Sequence, residues 1–142
     1  PPMTPHQIKL VQTSFAQVAP IAATAADLFY GRLFEIAPDV RAMFPDELSG
    51  QKKKLMAMLG IAVAGLSHLD TLLPAVRALG RRHTGYGVGA EHYVPVGAAL
   101  LWTLGKGLGD AFTADVREAW ATTYTILSQA MIEASREVPV AA

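Results

Sequence analysis

From Ile8 to Met131 the apolar side chains return every three or four residues, and nowhere do they alternate convincingly with period two. A period near 3.6 lays apolar residues along one face of a helix, so this chain has helical stripes to bury and no strands to pair. Proline and glycine cut the rhythm into segments. Thr4-Pro5-His6-Gln7 opens the first with a capping hydroxyl, a proline at the first helical position and a glutamine three residues after the cap. Its stripe is Ile8, Val11, Phe15 and Val18. A second helix starts at Pro20 and carries Ile21, Ala25, Leu28, Phe29, Leu33 and Phe34, with Tyr30 on the same arc. Pro38 ends it, and a short turn over 39–43 leads into a non-helical corner, Phe44 to Leu48.

Ser49 is expected to cap a third helix running to about Leu66, with Gln51, Leu55, Met58, Leu59 and Ala62 along one face. The nearly uncharged run from Leu55 to Leu66 is twelve residues, too short to span a membrane, and reads as a helix buried on most of its circumference. Asp70 or Thr71 caps a fourth helix with Pro74 in its first turn, ending at His83. A fifth runs from Glu91 to about Lys106 and is broken by Gly107 and Gly109. Thr113 caps the last, whose buried side is Val116, Trp120, Tyr124, Leu127 and Met131. The expectation is an all-α domain over residues 1–142, with six long or medium helices and a short one.

Composition narrows the partners. Twelve basic residues balance twelve acidic ones, which leaves no overall field to recruit nucleic acid or an anionic membrane, so neither partner is expected. Cysteine is absent; a metal would therefore rest on histidine, carboxylate or a cofactor's own donors, and the cytoplasm is the default location. A chain 51% hydrophobic and only 17% charged is more apolar than an ordinary core of this size needs, as though something apolar were enclosed.

Of four histidines, His6 lies in a terminal turn and His68 in a corner, and both read as surface residues. His92 begins a helix, where a hydrogen bond is a more natural role than ligation. His83 is different: a leucine-rich segment (Leu69, Leu72, Leu73, Val76, Leu79) delivers it at a helix end, and Gly85, Gly87 and Gly89 then turn the chain away. On this local pattern it is a metal or haem ligand, a general base, or a cation favourably placed against the helix dipole. No second histidine stands four residues off and no carboxylate at metal-site spacing, so a site built wholly from protein ligands is poorly supported. A macrocycle supplying four nitrogens needs one imidazole. The glycines follow a helix rather than a strand, and no nucleophile elbow or thiol is present, which disfavours nucleotide binding and triad hydrolysis.

Phe29-Tyr30, Phe44, Gln51 with Leu55, Leu79 with His83, His92-Tyr93-x-x-Val96-Gly97 and Trp120-x-x-x-Tyr124 together resemble the bacterial single-domain globins, in particular flavohaemoglobin haem domains and the neuroglobin-like bacterial globins. The likeness runs from Thr4 to Glu133. It implies a three-over-three helical sandwich enclosing haem b, with His83 as proximal ligand and Phe44 packed on the macrocycle. Tyr30, Gln51 and Leu55 would surround the distal face, and Leu79, Val88, Tyr93 and Val96 would line the pocket. Lys54, one turn from Gln51, is the expected propionate partner, Arg82 a second, and Lys52 and Lys53 are read as solvated.

A phenol and an amide in a dry pocket favour a gas ligand that takes on negative charge, as oxygen does, over neutral carbon monoxide. Two activities follow from the resemblance: tight oxygen binding for storage, scavenging or sensing, or conversion of nitric oxide with oxygen to nitrate. Tyr30, Gln51 and Tyr93 are the candidate catalytic groups for the latter or for peroxidase-like chemistry. In flavohaemoglobins a tyrosine and a glutamate hydrogen-bond with the proximal histidine; Tyr93 matches the tyrosine, but Ser135 stands where the glutamate is expected, with Glu133 and Glu137 two residues to either side. With the chain ending at Ala142, turnover is expected to need an external reductase, and the protein to be a monomer or dimer.

Overall fold

The computed structural model describes residues 3–85 and 87–136, and among them it contains helices and no strands. Six α-helices follow in order: α1 (Pro5–Val18), α2 (Ala22–Ile36), α3 (Ser49–Gly65), α4 (Leu69–Gly85), α5 (Tyr93–Leu108) and α6 (Ala114–Ser135). A 3-10 helix over Pro38–Met43 is the expected short element, and briefer 3-10 turns join most of the others.

The first cap is built as its residues dictate: Thr4 accepts from the Gln7 amide while the Gln7 side chain accepts from the Thr4 amide, both at 3.1 Å. Thr113 likewise accepts from the Val116 amide. Several boundaries differ from expectation: Pro20 falls in a 3-10 turn and α2 starts only at Ala22, and α5 runs through Gly107 to end at Leu108. Ser49 is the first helical residue rather than the cap, and the Glu47 carboxylate accepts from its amide at 2.8 Å and from its hydroxyl. A carboxylate preceding the helix start supplies both an acceptor and the charge the dipole favours, so it displaces the hydroxyl. α4 starts at Leu69 directly from a 3-10 turn, which puts Pro74 inside the helix, and it continues past His83 to Gly85. α5 begins at Tyr93, after a 3-10 turn over Ala90–His92.

Packing puts α4 along α6, α2 along α5, and α1 across α6, with α3 resting mainly on α2, α1 and α4. The core is filled by Val11, Leu33, Leu66 and Trp120, each essentially inaccessible, and the Trp120 indole donates to the Ser14 hydroxyl at 2.8 Å. Two close crossings depend on glycine. A methyl on Gly97 would stand 2.6 Å from the Tyr124 ring, and one on Gly80 would stand 2.5 Å from the Met131 carbonyl oxygen.

One expectation fails informatively. α3 is not buried on most of its circumference: Val63 is its one fully buried residue, Leu55, Met56 and Leu59 are half-buried, and Met58 and Ile61 are exposed. Counted through the 3-10 turn, Ser49–Gly85 is long and apolar enough to cross a membrane by length and composition. It is nonetheless two helices with different protein neighbours, α3 on α2 and α4 on α6. Among the described residues, none covers the apolar surplus of α3 at Met58 and Ile61.

Candidate functional site

Four aromatic rings organise one side of the site. Tyr30 meets Phe29 edge-on at 5.1 Å and Phe44 edge-on at 5.6 Å, and Phe34 closes the set at 5.9 Å from Tyr30 and 5.6 Å from Phe44. The corner that displays Phe44 is held by Arg41. Its guanidinium lies 5.2 Å from the Phe34 ring centre and donates to the carbonyls of Phe44, Pro45 and Asp46 at 3.3, 3.0 and 3.1 Å. The sequence marks Phe34 only as part of the apolar stripe of the second helix and Arg41 not at all, since Arg41 stands in a turn with no motif to mark it.

The Tyr30 phenol is buried, and burial pushes its pKa up to about 12, so it is a neutral donor at any physiological pH. It donates to the main-chain carbonyl of Gln51 at 3.5 Å, the long end of hydrogen-bonding range. Tyr30 and Gln51 do come together, but through Gln51's backbone. The Gln51 side chain is half-buried at the start of α3, and Leu55 stands one turn further along the same helix.

His83 is half-buried near the end of α4, and its Nδ1 lies 2.8 Å from the Leu79 carbonyl oxygen. A carbonyl only accepts, so Nδ1 carries the proton and Nε2 holds the lone pair a metal would take. The helix end beyond it is tied down twice: Val88 donates to the His83 carbonyl at 3.1 Å and Gly87 to the Thr84 carbonyl at 3.0 Å. Gly87 has φ +87°, a left-handed turn that a side chain would resist. His92 makes the hydrogen bond expected of it, its Nδ1 accepting from the Gly89 amide at 2.8 Å. His6 and His68 are exposed.

Tyr93, the first residue of α5, is half-buried, and burial raises its pKa. Its carbonyl accepts from the Tyr124 phenol at 2.5 Å, and burial, with the neighbouring Tyr93, raises the Tyr124 pKa as well. Ser135 does not stand in for a carboxylate: its hydroxyl turns back to the Ile132 carbonyl at 2.5 Å. Glu133 is exposed, and Glu137 lies outside the described residues. At the rim, Lys54 and Arg82 are exposed, which leaves both able to meet an anionic group. Lys52, read as solvated, instead pairs with Asp27 at 2.8 Å and so ties α3 to α2.

These residues fit a haem. α3 carries apolar residues that are half-buried or exposed, Phe44, Leu79, Val88 and Val96 are half-buried, and His83 is an imidazole with Nδ1 held by a carbonyl, which is the chemistry an apolar macrocycle with one protein ligand requires. Among the described residues no group of three or more histidines or carboxylates offers an alternative metal site.

The globin family model matches residues 27–131, and the chain belongs to the globin family. Its fold is the all-α globin fold and its cofactor is haem. The flavohemoprotein of Rhodopirellula baltica is 35% identical over 130 residues, covering 88% of this chain and 31% of that protein. The neuroglobin of Danio rerio is 34% identical over 118 residues, covering 73% of this chain and 74% of that one. The flavohemoglobin of Malassezia yamatoensis, solved with bound FAD and heme, superposes with a TM-score of 0.79 at 24% identity, over 94% of this chain and 37% of that one. The chain thus spans about a third of the length of the flavohemoproteins it matches.

Proposed function

We propose that this globin binds oxygen tightly, with His83 Nε2 as the proximal ligand and Tyr30 and Gln51 as donors on the opposite face. Haem supplies the iron on which a diatomic gas is held. The chain's part is to orient and to discriminate. The Leu79 carbonyl holds the His83 ring in one tautomer, so that Nε2 is presented to the metal. Phe44, braced by Phe34 and Arg41, would pack against the macrocycle, and the exposed Lys54 and Arg82 would meet its propionates.

The observation that carries the reading is the state of the Tyr30 hydroxyl. It is buried among aromatic rings, neutral and, among the described residues, engaged by a 3.5 Å bond to a carbonyl. Such a donor exchanges a weak partner for a ligand oxygen that carries negative charge, and in a dry site that bond is worth more than it would be in water. The Gln51 amide, at the start of the helix whose carbonyl Tyr30 touches, provides a second donor.

Nitric oxide turnover is the second reading, supported by the likeness to flavohemoproteins. Against it stand two described residues: Ser135 is bonded to its own helix and Glu133 is exposed, so neither supplies the carboxylate of the flavohaemoglobin pattern. Stopped-flow mixing of the oxygenated ferrous protein with excess carbon monoxide tests the proposal. Slow oxygen release that Tyr30→Phe accelerates supports it, and fast release from the parent refutes it.

A further inference from the structure

α4 carries His83, and where Gly80 stands it meets the backbone of α6. We propose that Gly80 is a positioning residue: the missing side chain lets α4 settle directly on the α6 backbone, and this depth sets where the His83 imidazole stands. The proposal rests on His83 being the iron ligand.

Gly80 is buried and lies one turn before His83. A Cβ at Gly80 would fall 2.5 Å from the Met131 carbonyl oxygen, 2.6 Å from its Cα and 2.9 Å from its carbonyl carbon. All three atoms are backbone, so no rotamer change on α6 relieves the overlap; only separation of the two helices does. Separation is transmitted to the ligand because the turn between Gly80 and His83 is stiff. His83 Nδ1 is bonded to the Leu79 carbonyl at 2.8 Å, and the neighbouring Thr84 hydroxyl donates to the Gly80 carbonyl itself at 3.2 Å. Imidazole and backbone therefore move as one body.

Gly65 provides the contrast. A methyl there would come within 2.9 Å of Leu72, but what it meets is the side chain of a leucine, which is able to turn aside. Leu72 stands near the start of α4, so Gly65→Ala presses on the far end of the helix that carries His83, and mainly through side-chain atoms rather than backbone.

The test is the iron–imidazole stretching band of the ferrous, ligand-free holoprotein by resonance Raman spectroscopy, in the parent, Gly80→Ala and Gly65→Ala. Expected is a band displaced in Gly80→Ala by more than the difference between parent and Gly65→Ala. His83→Gly reconstituted with free imidazole removes the tether between ligand and helix. In that background adding Gly80→Ala is expected to leave the band where it is. An unmoved band in tethered Gly80→Ala overturns the proposal, as does an equal displacement in the untethered pair. Should Gly80→Ala fail to take up haem, uptake by Gly80→Ala/His83→Gly with imidazole supports the proposal. Failure of that double variant assigns Gly80 to the fold alone and overturns it. If His83→Gly keeps the parent band without added imidazole, it is the ligand assignment that fails.

Discussion

Tyr30→Phe removes one oxygen atom from the aromatic cluster and separates two quantities that usually move together. A hydrogen bond to a charged acceptor contributes about 1.5–3 kcal/mol, and the phenol gives up its 3.5 Å bond to the Gln51 carbonyl to make it. That long bond is worth about 0.5 kcal/mol, at the bottom of the range for neutral pairs, so the net hold on the ligand is about 1–2.5 kcal/mol, roughly five- to seventyfold in off-rate. Carbon monoxide carries little charge, and its release should scarcely change. Stability is expected to move the other way. The variant loses a buried hydroxyl whose bond to the Gln51 carbonyl is long while every ring contact survives, so thermal unfolding should be unchanged or slightly raised. Stopped-flow oxygen dissociation beside a thermal melt reads both quantities. An off-rate within twofold of the parent, or a melt several degrees lower with the off-rate unchanged, would refute the reasoning.

Gln51→Leu should also speed oxygen release, by less than Tyr30→Phe, since a glutamine loses more side-chain freedom when it donates. Because Tyr30 touches the Gln51 backbone, which Gln51→Leu retains, the two effects should add to within about 0.5 kcal/mol; a much larger coupling in the double variant would mean that the side chains bond each other. His83→Ala should lose haem or hold it weakly, and an unchanged ferrous absorption spectrum in that variant would remove His83 as the ligand. Tyr93→Phe should alter peroxidase-like or nitric oxide-consuming activity little, because the carbonyl that receives Tyr124 is retained and Ser135 is engaged elsewhere; a large loss in a steady-state assay would show that another residue completes a proximal network. The folded pKa of Tyr30, about 12, lies above its ordinary 10.0, so the stability carried by its neutral form is whole below pH 10 and is lost as pH rises through 10 to about 12. Tyr30→Phe should therefore move the alkaline unfolding midpoint upward, and an identical midpoint would contradict the burial.

Helix number, order and approximate ends were legible in the sequence because period and punctuation are local properties: Thr4, Gln7 and Thr113 act as caps just where spacing puts them. The start of α3 was misread because Ser49 and Glu47 both suit a helix entrance, and the choice between them depends on a chain turn that only Arg41 and the corner define. The residues alone left His83 with three roles, and neither the Phe44–Tyr30 contact nor the bond from His83 Nδ1 to the Leu79 carbonyl was legible in them. The partial exposure of α3 could not be anticipated from hydrophobicity, since an apolar helix looks the same whether protein or cofactor covers it. Gly80 was invisible for a different reason. Its importance lies in a backbone contact with Met131, some fifty residues away, and no local signal distinguishes it from any other helical glycine.

Whether this globin keeps oxygen or spends it is read most directly from two rates on one preparation: oxygen dissociation from the ferrous protein, and nitric oxide consumption per haem at saturating reductant. Tight binding through Tyr30 and Gln51 predicts slow oxygen release in the parent, together with nitric oxide consumption that does not outpace it. Sustained consumption well above the oxygen dissociation rate, abolished in Tyr30→Phe, would contradict a binding role and make the same pocket that of a nitric oxide-consuming enzyme.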